Sequence, residues 1–271
     1  MDPIDTYPEA CINGGEIEAI KRIVERDHES DSFDFVNYYI NEIAESCNLA
    51  TFRWAIKTIR KRNTSTHWEM LIESASKEGR LDLLSLLHKY CNWTPVIGGF
   101  GWCAAYEAAT HGQVGVLAWL QNNDLIEDDV IIGIIEAATF EDSAASDNST
   151  KVLKFVRRLI ESRDDDDDDD DNDNDNDDMP FEMEYNDDVW HSVLTYGIHD
   201  FIDVLYDHMY GIDMADFTED CAYLAGLANL DTEGAEVSFG HAECLRFLRS
   251  RGFPWNPDEA TRARAAAIGI E

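Results

Sequence analysis

Basic residues are scarce in this chain: 21 Lys and Arg stand against 56 Asp and Glu over 271 residues, a formal net charge of −35. Twelve of the acids lie in the tract 164–178, yet with those set aside 44 acids still face the 21 bases, so the acidity is general. Phosphate backbones and anionic lipid are held by Lys and Arg that displace counterions, so direct binding of nucleic acid or of such a membrane is disfavoured. A Lys- or Arg-rich protein partner is favoured instead. Long apolar runs are missing too. The longest aliphatic stretch, Val130 to Ile135, falls far short of the roughly 20 residues of a membrane helix, and the opening "MDPIDTYPEA" lacks the basic start and apolar segment of an export signal. The six cysteines (Cys11, Cys47, Cys91, Cys103, Cys221, Cys244) form no C-x-x-C pair, which argues against a disulfide framework or a zinc module and suits a reducing intracellular compartment, cytoplasmic or nuclear. Cys91 with Cys103 is the one bridge worth weighing. No G-x-S-x-G, H-E-x-x-H, P-loop or dinucleotide fingerprint occurs, so no catalytic residue, metal ligand or cofactor is expected.

What the chain does contain is repetition. The segment "GHAECLRFLRSRGFPWNPDEA" at 240–260 sets a glycine before apolar residues two, five and eight positions later: Ala242, Leu245 and Leu248. Gly15 precedes Ile17, Ile20 and Ile23; Gly79 precedes Leu81, Leu84 and Leu87; Gly112 precedes Val114, Leu117 and Leu120. With Cys47 in the glycine slot, Leu49, Phe52 and Ala55 follow, and the first four anchors step by 32, 32 and 33 residues. Positions three apart form a single stripe on a helix, so each anchor opens an amphipathic helix whose apolar side needs a neighbour. Small residues precede the anchor, as in "EAATHG" at 107–112, "EAAT" at 136–139 and "AAAIG" at 265–269 before the last anchor, Gly269. Alanines let a first helix approach its neighbours closely, and the glycine then supplies a left-handed cap that reverses the chain.

Further punctuation follows two of the second helices. "WTP" at 93–95 and "WNP" at 255–257 place Thr94 or Asn256 to cap the next helix, with Pro95 or Pro257 in its first turn and Glu259 completing a capping box after Asn256. Arg246, Arg249 and Arg251 sit near the end of the Gly240 helix, where the dipole welcomes cations, and Gly252 and Pro254 read as cap and stop. The stripe Thr150, Leu153, Val156 starts late enough to require an insertion of about seven residues after "EAAT". A sixth unit is anchored on Gly197, with only His199 in its first stripe slot, and a seventh carries another insertion before Gly240.

This pattern resembles the ankyrin-repeat family, whose unit of about 33 residues is a pair of antiparallel helices plus a turn. "CAAYEAATHG" places Cys103 in the family's Thr slot, Tyr106 in its His slot, Ala108 and Ala109 in the alanine slots and Gly112 in the glycine slot; Gly240–His241 supplies the Gly-His pair, and Gly252 the second-helix cap. No unit keeps the T-P-L-H tetrapeptide. The wording of the Gly240 unit resembles the divergent arrays of large DNA viruses of protists and of some algae. The resemblance implies an all-α solenoid of stacked antiparallel helix pairs, about seven and a half units, with "ATRARAAAIGIE" as a terminal cap. The expected organisation is an N-terminal repeat block at 1–163, an acidic insert at 164–180 and a C-terminal block at 181–271.

The competing chemistry is thin. The Asp/Asn tract lacks the glycine and glutamate of an EF-hand loop and reads as a solvated, self-repelling insert. His111 and His241 flank recurrent glycines several repeats apart, too far to share an ion where units touch only neighbours. Trp119 reads as core, and Trp93 and Trp255 as packing between repeats. The expected function is therefore a non-catalytic interaction scaffold binding a Lys/Arg-rich protein on its concave face. The surface residues expected there are Asn92, Thr94, Asp124, Glu127, Asp128, Asp213, Asp216, Asn256 and Asp258. The alternative is a chaperone or decoy for basic proteins such as histones that works through the tract. A ubiquitin-ligase adaptor would need a docking segment, and none stands out.

Overall fold

The computed structural model describes residues 18–19, 22, 39, 43–44, 48–60, 65–139, 147–164, 183–184, 187–210, 235–253 and 266. Gly15, Cys47, Asp213, Asp216, Asn256, Asp258, Gly269, Trp255 and the tract beyond Asp164 lie outside them. The fold is all-α. The described helices are α1 (Leu49–Arg60), α2 (Ser65–Lys77), α3 (Leu81–Leu87), α4 (Phe100–Thr110), α5 (Val114–Gln121), α6 (Asp128–Thr139), α7 (Asp147–Asp164), α8 (Asp187–Thr195), α9 (His199–His208) and α10 (Ala235–Ser250). The strands described are β1 (Met183–Glu184) and β2 (Met209–Tyr210), a two-residue parallel ladder pairing Met183 with Met209 and Glu184 with Tyr210. The chain divides into two compact units, Met1–Gly133 and Ile134–Glu271.

In the first unit α2 packs on α4, α1 on α3 and α3 on α5, while α2 pairs with α3 and α4 with α5. The reason is written in the stripes. Where the helix after an anchor is described, the side chains five and eight positions past it are buried: Phe52 and Ala55, Leu84 and Leu87, Leu117 and Leu120. The second unit repeats this with Leu153 and Val156, Ile202 and Leu205, and Leu245 and Leu248. The slot two past the anchor behaves differently: Ala242 is buried, but Leu81 is 38% exposed. The position four past the anchor, which the three-residue spacing passes over, is buried in all six helices as Thr51, Leu83, Val116, Val152, Phe201 and Cys244. The apolar face is thus wider than one row, as a helix covered by two neighbours needs.

The turns are equally regular. Gly79, Gly112 and Gly197 have φ of 68°, 70° and 65°, and Gly252 has 83°. After each, the next residue's N–H donates five residues back: Arg80 to Ala75, Gln113 to Ala108, Ile198 to Val193 and Phe253 to Leu248, at 2.7–3.1 Å. This is the Schellman closure, which satisfies helix-end carbonyls through a left-handed residue. Asp124 makes the same closure, with Leu125 donating to Leu120 at 3.1 Å and φ of 56°. It stands twelve residues past Gly112, as Gly252 stands past Gly240. Gln113 also ties consecutive turns together, its Nε2 donating to the Lys77 carbonyl at 2.7 Å.

Two expectations need correction. Gly240 does not cap a helix; it lies inside α10. A Cβ there would overlap the Gly197 carbonyl oxygen and stand 3.0 Å from its carbon. The glycine is there for close approach between a helix and the preceding turn rather than for reversal. Thr94 and Pro95 do not open a helix either. The helix begins at Phe100 after Gly99, and Thr94 contributes its backbone carbonyl, which accepts the Gly101 N–H at 3.1 Å. At α1 the capping residue is Asn48, whose Oδ1 accepts the N–H groups of Ala50 and Thr51 at 3.0 Å each.

Candidate interaction surface

Helix α4 buries its small residues and leaves longer ones at the margin, whereas α2 and α6 also bury large apolar side chains such as Leu71, Ile72, Ile131 and Ile135. On α4, Ala104, Ala105, Ala108 and Ala109 are buried, while Trp102, Cys103, Tyr106 and Glu107 are half-buried. Gly133 of α6 makes room for the Trp102 indole, since a Cβ there would stand 2.8 Å from Nε1. Trp102 in turn stacks on Tyr106 one helical turn along, ring centroids 5.2 Å apart. On the α2 side the chemistry is electrostatic. Burial, then the charges of Glu107 and Glu69, holds the Glu73 carboxyl above its ordinary range. Cys103 sits among the same acids. Burial first, and then Glu73 and Glu69, push its thiol up to about 11, so it stays protonated and a poor nucleophile at neutral pH. His111 closes α4 with Nδ1 donating to the Glu107 carbonyl at 3.0 Å and 3.6 Å from the Glu107 carboxylate.

The loops beyond the second helices carry most of the described partner-binding candidates. Asn92, Asp124, Glu127 and Asp128 are exposed, and Thr94 is half-buried against Gly99. Each acid also has a local structural role. Asp124 supplies the left-handed turn, and the Glu127 carbonyl accepts from Val130 and Ile131 at 3.0 Å as α6 begins. Asp128 and Asp129 occupy the first turn, where the dipole favours anions. Trp93 is buried and forms an edge-to-face triangle with His88 and Trp119, centroids 5.6–5.7 Å apart, linking the end of α3 to α5. Trp93 thus packs between α3 and α5, while Trp119, expected in the core, is half-buried. Just past Trp93 the turn exposes Val96 and Ile97, which the sequence reading did not single out.

The chain matches no family model, no curated protein and no solved structure. Its site must be read from its own residues.

The second unit offers a different surface. Lys154 of α7 pairs with Asp200 of α9 at 3.2 Å, Arg157 pairs with Asp203, and Arg251 pairs with Asp207 at 3.2 Å. Arg251 also lies over the Tyr206 ring at 4.8 Å. A cleft of about 370 Å³ between α9 and α10 is lined by His199, Ile202, Asp203, Glu243, Arg246 and Phe247. The two acids of the cleft are each paired with an arginine, Asp203 with Arg157 of α7 and Glu243 with Arg246. His241 is buried within α10. Among the described residues no group of three or more His, Cys, Asp or Glu side chains is placed to hold a metal, and no helix is long and apolar enough to cross a membrane. Cys91, Cys103 and Cys244 are free thiols, so the bridge weighed for Cys91 and Cys103 is not formed.

Proposed function

We propose that the chain is a non-catalytic interaction module built from ankyrin-like helix pairs, which takes a Lys/Arg-rich protein segment on the face formed by its first helices and turns. The ankyrin-like reading is supported by recurrence. The Schellman turn closes α2, α4 and α8 at Gly79, Gly112 and Gly197, the helix after each buries the same offsets, and α2 packs on α4 in the Met1–Gly133 unit. Such pairs present a preformed surface, so little ordering entropy opposes binding.

One observation carries the choice of partner. Where α2 meets α4, burial first, and then the charges of Glu107 and Glu69, resist ionisation of Glu73. A cation docked among them would relieve that repulsion, and the gain is a direct contribution to binding. The net charge of −35 adds steering at long range.

The test is titration of a 12-residue arginine-rich peptide into three proteins: the unaltered chain, a Glu69→Gln/Glu73→Gln/Glu107→Gln variant, and a chain lacking 164–178. The triple variant is expected to bind at least about ten-fold more weakly, with a shallower salt dependence. Affinity that follows the tract and ignores the three glutamates would move the function to the tract, as in a chaperone or decoy for basic proteins.

A further inference from the structure

Exposed loop tips are ordinarily polar, glycine or proline, because an apolar side chain held in water gains nothing. The segment "TPVIGG" at 94–99 breaks that habit: Val96 is 53% exposed and Ile97 68%. Of the five large apolar residues described as exposed, Tyr90, Val96 and Ile97 fall within eight positions of one another, which argues against random scatter.

The turn that carries them is rigid. The Val96 carbonyl accepts the Gly99 N–H at 2.8 Å, and Gly98 has φ of 76°, the third-position requirement of a type II turn with Ile97 at its second position. Gly99 and Gly101 are pressed onto Thr94: Cβ atoms on them would stand 2.6 and 2.7 Å from its carbonyl oxygen. The stem is pinned by Trp93 in its triangle with His88 and Trp119. Two β-branched side chains are therefore fixed in water on a preformed turn, and covering them costs little further conformational entropy.

We infer that the Val96–Ile97 turn is a hydrophobic anchor for a protein segment that alternates apolar and basic side chains. The apolar residues of that segment cover Val96 and Ile97, and its Lys or Arg residues meet the acids of the equivalent loop in the next helix pair, Asp124, Glu127, Asp128 and Asp129, all exposed. That loop follows α5, whose Trp119 touches Trp93 at the stem of the turn. Charge decides among possible occupants. A second copy would bring another −35 against these acids, and an anionic lipid surface would be repelled likewise. The inference rests on the basic-partner reading above and adds to it the apolar half of the recognition.

The experiment uses the full-length chain and two synthetic 12-residue peptides of equal charge, one alternating Leu with Lys and one alternating Ser with Lys. Binding is followed through the backbone amide signals of Gly98 and Gly99, which report this turn and not the acidic tract. The Leu peptide is expected to saturate those signals at a concentration about 10- to 100-fold lower than the Ser peptide. In Val96→Ser/Ile97→Ser, whose changes are exposed and leave the turn glycines in place, that preference is expected to shrink to within about three-fold. A preference that survives the double substitution, or equal binding of both peptides to the unaltered chain, overturns the anchor while leaving the basic-partner reading intact. Binding of neither peptide at Gly98 and Gly99, with the glutamate triad also indifferent, overturns both. Concentration-dependent dimerisation, or binding to zwitterionic vesicles, that Ile97→Ser abolishes would assign the turn to another copy or to lipid and equally overturn the proposal.

Discussion

Two glycines inside helices should respond to the same substitution with opposite signs. Intrinsic helix propensity favours Ala over Gly by up to about 1 kcal/mol, partly by restricting the unfolded chain. At Gly115, in the first turn of α5, a Cβ would have nothing within 4 Å and the position is exposed. Gly115→Ala should therefore stabilise by roughly 0.5–1 kcal/mol. At Gly240 the same methyl group runs into backbone, overlapping the Gly197 carbonyl oxygen and falling short of ordinary contact with it by more than about 1 Å. Neither partner can yield easily. The Gly197 turn is held by the Ile198-to-Val193 bond at 2.9 Å with φ of 65°, and α10 is seated by the fully buried Leu245 and Leu248.

Moving α10 outward would open the contact between Tyr206 and Phe247, now 5.7 Å between centroids. Overpacking of this kind costs about 1–3 kcal/mol and more where backbone must shift, which exceeds the propensity gain. Gly240→Ala should thus destabilise by about 1–2 kcal/mol net, so the pair should differ by roughly 1.5–3 kcal/mol. Urea titration followed by circular dichroism measures both, with unchanged slope and a shifted midpoint as the signature. Because Gly115 and Gly240 belong to different compact units, separate transitions would assign each shift to its own unit. A Gly240→Ala protein as stable as the parent would mean that α10 does not lie against the Gly197 turn, and the close-approach account would fail.

Glu73→Gln should raise stability at neutral pH. The folded carboxyl keeps its proton to higher pH than the unfolded chain does, so stability falls as pH rises through that window, and the substitution should flatten this slope while changing nothing below it, as melting temperatures across pH would record. Asp124→Gly should stabilise by up to about 1 kcal/mol and Asp124→Val should destabilise by about 1–2 kcal/mol, because φ is 56° there; equal melting of both would refute the left-handed turn. Ala108→Glu, at a position with no exposed surface, should cost more than about 3 kcal/mol, and an unchanged melting curve would remove α4 from the core. Burial pushes Cys91 and Cys244 up to about 12, so with Cys11, Cys47 and Cys221 replaced by Ser, thiol reagents at pH 8 should react far more slowly than with a free cysteine until denaturant is added.

Periodicity carried the helices and their buried stripes because burial at fixed offsets is the physical cause of the pattern. Cap glycines at 79, 112 and 252 were readable for the same reason: a left-handed residue leaves a compositional mark. The offset of twelve that makes Gly252 a cap applies equally to Asp124, but aspartate in that slot reads as surface charge unless the offset is counted. Gly240 was misleading because glycine meets two separate needs, positive φ and the absence of a Cβ, and sequence alone does not separate them. Val96 and Ile97 look like core by composition. Only the Gly98–Gly99 pair after them hinted at a turn, and it takes coordinates to show that the turn faces water. The crowding of Glu69, Glu73 and Glu107 needed coordinates as well, because the first two lie on α2 and the third on α4.

The acids of the first helices and the apolar tip of the turn share a thermodynamic character. Neither contributes to the stability of the isolated chain: glutamine in place of Glu73 would stabilise it, and serine in place of Ile97 would leave it nearly unchanged. Surfaces that are merely solvated carry no such cost, and the ion pairs of Lys154, Arg157 and Arg251 in the second unit illustrate the relaxed alternative, each cation matched to an acid on α9. In the Met1–Gly133 unit, burial and neighbouring acids resist ionisation of Glu73 where α2 meets α4, and apolar side chains are exposed beyond α3. The proposed partner would relieve both, since a segment bearing cations and apolar side chains would neutralise the first and cover the second. Substitutions there should therefore divide cleanly, stabilising the free protein or leaving it unchanged while weakening the complex, whereas substitutions at Gly240 or Ala108 should lower both together.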